Sequence, residues 1–253
     1  MIPKDHPRYH SLVRRENIAN AALAGIVAME GVGAHGRGEA FDYLIGEKTT
    51  KSAELAEKTA AALFLTAKKP VLSVNGNTAA LAADLIKDFQ QATGALVEVN
   101  LFHRTEERIE KITRLLEEKG VLVHKGEIKR LLPLSHDRAL CSVDGIYSSD
   151  VILVPLEDGD RCEALVSMGK TVIAIDLNPL SRTAKTASLT IVDELTRALL
   201  NITNACKSLG EDEINRLACD FSDKKIQNKD ILDNAVKDIL ENLSDALDRK
   251  VQA

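Results

Sequence analysis

The spacing of apolar positions changes period along this chain. Across residues 11–30, Leu12, Val13, Ile18, Leu23, Ile26, Val27 and Met29 recur at helical spacing, and Ser11 stands where an N-cap belongs. A second helix, rich in Ala, Leu, Glu and Lys, is predicted over 50–67. The glycine-rich run between them, holding Gly31, Gly33, Gly36 and Gly38, reads as a loop. From Lys69 onward, short apolar runs at 71–74, 96–99, 121–123, 151–154, 172–175 and 189–192 read as strands. Helical stretches at 78–92, 105–119 and 161–168 separate them, and Gly94 and Gly120 close the first two. This alternation specifies a Rossmann-like α/β fold: a mostly parallel sheet with helices on both faces. After Asp193 the pattern is helical again. Asn228 is placed to cap a helix in which Ile231, Leu232, Val236, Ile239, Leu240, Leu243 and Leu247 share one stripe. Such a stripe folds back on the sheet or meets a second copy. The chain thus divides into an N-terminal helical segment with a glycine-rich phosphate loop (1–68), an α/β core (69–200) and a C-terminal helical extension (201–253), together one compact unit.

The candidate chemistry sits where strands end. In V-I-A-I-D-L-N-P-L-S-R-T-A, residues 172–184, an uncharged strand runs into a polar, cationic turn. Ligands of open α/β sheets bind beyond the carboxyl ends of the strands, which is where Asp176 to Thr183 would lie. Asp176 can accept from a hydroxyl or an amine, Asn178 can donate and accept, and Arg182 offers a planar fork to phosphate oxygens. The competing reading is a plain loop, with Asp176 capping a turn, Pro179 stiffening it and Arg182 solvated.

Gly31, Gly33 and Gly36 match G-x-G-x-x-G, yet they follow a helix instead of a strand, so the dinucleotide fingerprint is rejected. The chain contains no G-x-x-x-x-G-K-[ST] phosphate loop. The remaining device is a cradle in which Gly33, Gly36 and Gly38 let backbone approach a phosphate and Arg37 supplies the cation. Arg14 and Arg15 point about 100° apart on a helix, so only one should face that site. Two further strand ends suit anions. V-N-G-N-T at 74–78 and N-L-F-H-R-T at 100–105 each lead into a helix start, bringing Asn77, His103 and Arg104 forward; for Asn77 and Thr105 the alternative is helix capping alone.

Composition narrows the partners. With 253 residues, 45% hydrophobic and 28% charged, the chain can bury a sizeable core. A net charge of -5 and the absence of Trp argue against a nucleic-acid groove. The apolar run at 21–29 falls far short of the roughly 20 residues that span a bilayer, and the first residues lack the apolar core of a signal peptide, so a cytoplasmic protein is expected. Cys141, Cys162, Cys206 and Cys219 show no C-x-x-C spacing and read as reduced thiols. No protein-bound metal site is expected.

D-L-N-P-L-S-R-T at 176–183, H-G-R-G-E-A-F-D-Y at 35–43 and V-N-G-N-T together resemble the archaeal phosphopantothenate synthetases, the 4-phosphopantoate:β-alanine ligases of coenzyme A synthesis. The resemblance runs from H-P-R-Y-H-S-L at 6–12 to the helix after Asp193. It implies ATP contacts at Arg15, Arg37, Asp176, Leu177, Asn178, Arg182, Thr183, Asp193 and Glu194, with Mg²⁺ carried on the ATP phosphates. It also implies 4-phosphopantoate and β-alanine as substrates; a homodimer is expected from the apolar stripe after Asn228. The implied reaction is amide formation through an acyl-adenylate, releasing AMP and diphosphate; no protein nucleophile is required, and no general base can be assigned. A catalytically silent nucleotide-binding regulator shares the cradle. A nicotinamide-dependent oxidoreductase shares the sheet but lacks its glycine fingerprint.

Overall fold

The computed structural model describes residues 2–248. In chain order the elements are α1 (Tyr9–Leu23), α2 (Met29–Ile45), α3 (Lys51–Thr66), β1 (Pro70–Val74), α4 (Gly76–Thr93), β2 (Leu96–Val99), α5 (Glu106–Glu118), β3 (Ile128–Arg130), β4 (Leu140–Ser142), β5 (Val151–Pro155), α6 (Gly159–Ser167), β6 (Thr171–Ile175), α7 (Arg182–Thr186), β7 (Leu189–Ile191), α8 (Leu195–Ser208), α9 (Glu211–Ser222) and α10 (Asn228–Asp248). Five parallel strands form the main sheet in the order β2-β1-β5-β6-β7, and β3 pairs antiparallel with β4 in a small separate ribbon. The expected α/β fold is present.

Strand alternation sorts the core into two layers. Leu72, Val74, Leu153, Ile173 and Ile175 face a layer completed by Phe64 of α3, Ile86 and Phe89 of α4 and Leu199 of α8. Val71, Ile152, Val154, Val172 and Ala174 face the other way, onto Cys162 and Leu165 of α6 and onto Leu132, Cys141 and Ile146 around the ribbon. Among the described residues, no helix is long and apolar enough to cross a membrane.

Three expectations are corrected. The first helix ends at Leu23, and Gly25 turns the chain at φ +75° before α2 begins. The glycine-rich run is not a phosphate loop but the first half of α2. Its backbone donors are therefore committed to helical bonds, beginning with Gly31 N–H to Ala28 O at 2.9 Å. Packing outweighs the glycine penalty here, because Phe41 and Ile45 bury against Leu177 and Leu232, and Val32 packs with Ile18 and Val27. Finally, the strand at 121–123 shrinks to one bridge between Val97 and Val123, since Leu122 turns outward at the sheet edge.

Helix α2 lies across the carboxyl edge of the sheet. Gly31 packs on Asn77 behind β1, and Gly38 lies over Leu177 behind β6. Seven helical residues rise about 10 Å, and two strand spacings from β1 to β6 span roughly 9.5 Å, so helix and strand ends stay in register. A Cβ on Gly31 would stand 2.3 Å from Asn77 Oδ1, which accounts for glycine there.

At the other end, Asn228 is the first residue of α10 and not its side-chain cap: its Nδ2 donates to Ala184 O at 2.7 Å, and its Oδ1 accepts from no donor among the described residues. Ile231 and Leu232 are buried, but Leu240 remains 59% exposed and Leu243 is also exposed; the side chain of Leu247 lies outside the described residues.

Candidate active site

The chain runs from β1 through α4 to β2 on one side, then returns to β5 on the other side of β1. This reversal is a topological switch point, where the loops after β1 and β5 part and leave a crevice. Asn75 spans the divide. Its Oδ1 caps α4 by accepting from Thr78 N–H at 2.9 Å, and its Nδ2 donates to Pro155 O at 2.9 Å and Leu156 O at 3.1 Å. Leu156 is held at φ 52°, a left-handed conformation that costs a non-glycine residue energy and clusters at functional sites. A cavity of about 320 Å³ opens here, with Arg37, Asn75, Asn77, His103, Arg108, Arg138 and Asp158 on its walls.

Its charge is unevenly compensated. Arg138 is buried and fastened on several sides: Nη1 donates to Asn100 O at 2.7 Å, Nε to Asp158 at 3.1 Å, and Nη2 lies 3.3 Å from Glu157. Arg108 forms no salt bridge among the described residues, and Glu30 on the same cavity wall acts on it only through space. Arg108 donates to His103 O and to Ile26 O, while its buried Nε has no partner. Burial and the neighbouring Arg138 hold Arg108 below the usual arginine value. Arg37 projects from α2 with no ion pair among the described residues. Two like charges converge on a concave space with an orphaned N–H donor, which is the condition an anion relieves.

Of the residues expected to bind ligands, Arg37, Asn77 and His103 meet in this crevice. Asn77 is not the helix cap; Asn75 is, and Asn77 Nδ2 instead donates to Gly31 O at 2.8 Å, tying α4 to α2. Thr105 does cap α5, and Arg104 turns towards Glu106 at 4.0 Å, away from the cavity lining. The turn after β6 is joined to the crevice through residues 157–159. Thr183 Oγ1 donates to Glu157 O at 2.7 Å, and the stem of Arg182 lies against Gly159 while its head pairs with Glu163. Asp176 accepts from Asn178 N–H at 2.9 Å and from Ser181 Oγ, and burial pushes its carboxyl up. The side chain of Asn178 accepts from Leu180 N–H at 2.9 Å, and Leu177 is core.

A third group stands apart from the cavity lining. Asp193 is fully buried and accepts from Thr49 Oγ1 at 2.6 Å and Arg197 Nε at 2.9 Å. Glu194 caps α8 and pairs with Arg14 at 2.9 Å. Of the adjacent arginines it is therefore Arg14, 14% exposed, that faces inward, whereas Arg15, 44% exposed, bonds Glu39 at 2.8 Å and Tyr43 at 3.0 Å.

Sequence reasoning missed Asn75, Arg108, Arg138 and Asp158. A signal was present in E-D-G-D-R at 157–161, which follows a buried strand as V-N-G-N-T does, and in Arg108, three residues past the Thr105 cap.

The model of the phosphopantothenate/pantothenate synthetase family matches residues 52–242. The chain belongs to that family. A relative named 4-phosphopantoate--beta-alanine ligase in Methanospirillum hungatei is 56% identical over 98% of this chain and 100% of its own length. Relatives of the same name in Methanosarcina mazei and Thermococcus kodakarensis are 51% and 43% identical, over 96% and 98% of this chain and 95% and 94% of theirs. The chain is thus an enzyme, a member of a family of ligases, and the crevice is its candidate active site. Among the described residues, no cluster of three or more His, Cys, Asp or Glu is placed to hold a metal ion.

Proposed function

We propose that the chain joins 4-phosphopantoate to β-alanine at the expense of ATP, forming 4'-phosphopantothenate for coenzyme A synthesis. The observation that carries this reading is the Arg108–Arg138 pair with its unpartnered Nε beside the free Arg37, a receptor for a doubly anionic acid such as 4-phosphopantoate. ATP is assigned to the adjoining surface formed by the turn after β6, with Arg37, Arg182 and Arg15 as cations and Mg²⁺ on its phosphates. Asp176, Leu177, Asn178 and Thr183 shape that surface. Asp193 and Glu194 enter through backbone and shape, because their carboxylates are committed to Arg197 and Arg14.

In the proposed reaction a carboxylate oxygen of 4-phosphopantoate attacks the α-phosphorus of ATP and diphosphate leaves. The β-alanine amine then attacks the acyl carbon, the C–O bond to AMP breaks, and the amine proton is lost to solvent or base. The chain's tasks are to orient reactants, neutralise phosphate oxygens and exclude water from the adenylate. Product analysis with ATP, Mg²⁺, 4-phosphopantoate and β-alanine tests this. AMP with the amide is expected; ADP would replace the adenylate by an acyl phosphate, and no amide would end the reading. The same reading keeps a homodimer, for which the exposed Leu240 and Leu243 of α10 are the candidate surface; sedimentation of Leu240→Glu against the parent protein checks it.

A further inference from the structure

Beneath the crevice lies a charge pair that stability does not account for. Arg161 of α6 is 0% exposed, and the side chain of its partner Glu157 is 1% exposed. Arg161 Nη1 donates to Glu157 Oε2, Nη2 donates to Ser73 Oγ at 3.1 Å, and Nε has no partner. Removing two such charges from water costs several kcal/mol per ion, and an apolar pair of similar volume is often as stable or more so.

The other oxygen of Glu157 shows what the pair does. Oε1 accepts from Asp158 N–H at 2.9 Å and lies 3.3 Å from Arg138 Nη2, so one carboxylate is divided between two guanidinium groups. Burial alone would raise the Glu157 carboxyl, yet Arg138 and Arg161 together hold it below its usual range, so it is charged. Without Arg161, the whole of that negative charge would fall on Arg138, and an anion in the crevice would have to compete with it.

We propose that Arg161 is a positioning residue: it takes up part of the Glu157 charge and so leaves Arg138 fixed in place but cationic towards the anionic group of the crevice ligand. The inference rests on the ligase reading, in which that ligand is 4-phosphopantoate. Arg161 itself is not among the residues that line the cavity.

The test compares the parent enzyme with Arg161→Met and with the double variant Glu157→Gln/Arg161→Met. It reads KM for 4-phosphopantoate, KM for ATP, and calorimetric binding of 4-phosphopantoate alone. Arg161→Met should raise KM and Kd for 4-phosphopantoate about tenfold while KM for ATP stays within twofold. The double variant, which removes both charges, should recover most of that loss. A purely structural role predicts the opposite, with the double variant as poor as the single one or poorer. Arg161→Gln, which can still hydrogen bond Glu157, takes the place of methionine should that variant not fold. An unchanged KM for 4-phosphopantoate, equal rises for both substrates, or no recovery in the double variant overturns the inference while leaving the ligase reading intact. If the parent enzyme makes no amide, the reading and the inference fall together.

Discussion

Two charge networks lie at the same edge of the sheet, and they are finished differently. Around the start of α8, Arg197 bonds Asp193 and Asp42, Arg14 bonds Asp42 and Glu194, and Thr49 and Asn201 fill the remaining positions. Even Glu57, whose Oε1 lacks a conventional donor, fits the closure. Burial, with Asp193 beside it, pushes its carboxyl up to about 9, so it carries a proton to share. At the switch point, by contrast, neither Arg108 nor Arg37 forms an ion pair among the described residues, and Arg138 is held facing the cavity. The closed network joins α1, α2, α3 and α8. The open one keeps positive charge that no acid in the described residues pairs with, and this distinguishes a closed scaffold from the candidate site even though both consist of arginines and acids.

The comparison predicts a separation of stability from activity. Arg197→Met leaves Asp193 and Asp42 buried without their main cation, and breaking a pair of this kind costs about 3 kcal/mol or more. For a chain of this size that lowers Tm by roughly 10 °C. Thermal unfolding by circular dichroism checks it, and kcat/KM for 4-phosphopantoate at saturating ATP, measured well below the new Tm, should change little. Arg108→Ala should do the reverse. Loss of charge-assisted bonds to an anion, about 1.5–3 kcal/mol, lowers kcat/KM for 4-phosphopantoate by about tenfold to a hundredfold with Tm nearly unchanged. If both variants lose stability alike and neither loses activity selectively, the distinction between the networks collapses.

The sheet was legible because strands buried on both faces read as continuous apolar runs, so five strands appear close to where the pattern put them. Helix α2 was not legible, since four glycines argue against a helix and tertiary contacts, among them those to Leu177, Leu232 and Asn77, hold it. Of the candidate residues, Asn77 and His103, read beyond strand ends, and Arg37, read in the glycine-rich run, line one cavity. Arg108 and Arg138 were invisible, because their meaning depends on which charges lack partners, and pairing is a property of packing rather than of spacing. The choice between Arg14 and Arg15 turned on helix phase, and it is Arg14 that the closed network takes.

Closure of the first network also has a pH signature. Glu57 moves from 4.5 to about 9 on folding, so the native state keeps a proton that the unfolded chain releases. Its contribution is complete below about 4.5 and is lost as pH rises towards about 9. Stability should therefore decline across that window, and Glu57→Gln, which cannot ionise, should flatten the slope of Tm against pH by about 1 kcal/mol or more of stability between the two ends. An unchanged slope would mean that Glu57 is already ionised at neutral pH and that the network carries an extra buried charge.

The smallest effect bears on the open side. Gly33 and Gly36 lie in mid-helix, and a Cβ built on either would meet nothing within 4 Å. Alanine in such a position should stabilise the helix by about 0.5–1 kcal/mol and raise Tm by a few degrees. Gly31 differs because its neighbour Asn77 leaves no room, so packing already explains it. Among the described residues no contact explains Gly33 or Gly36, and that makes Gly33→Ala informative in two directions at once. If a ligand approaches the α2 backbone beside Arg37, the variant should melt higher yet use ATP less well, with KM for ATP rising severalfold. If Tm and ATP use both improve or stay level, those glycines face only water, and the phosphate-binding role of α2 reduces to Arg37 alone.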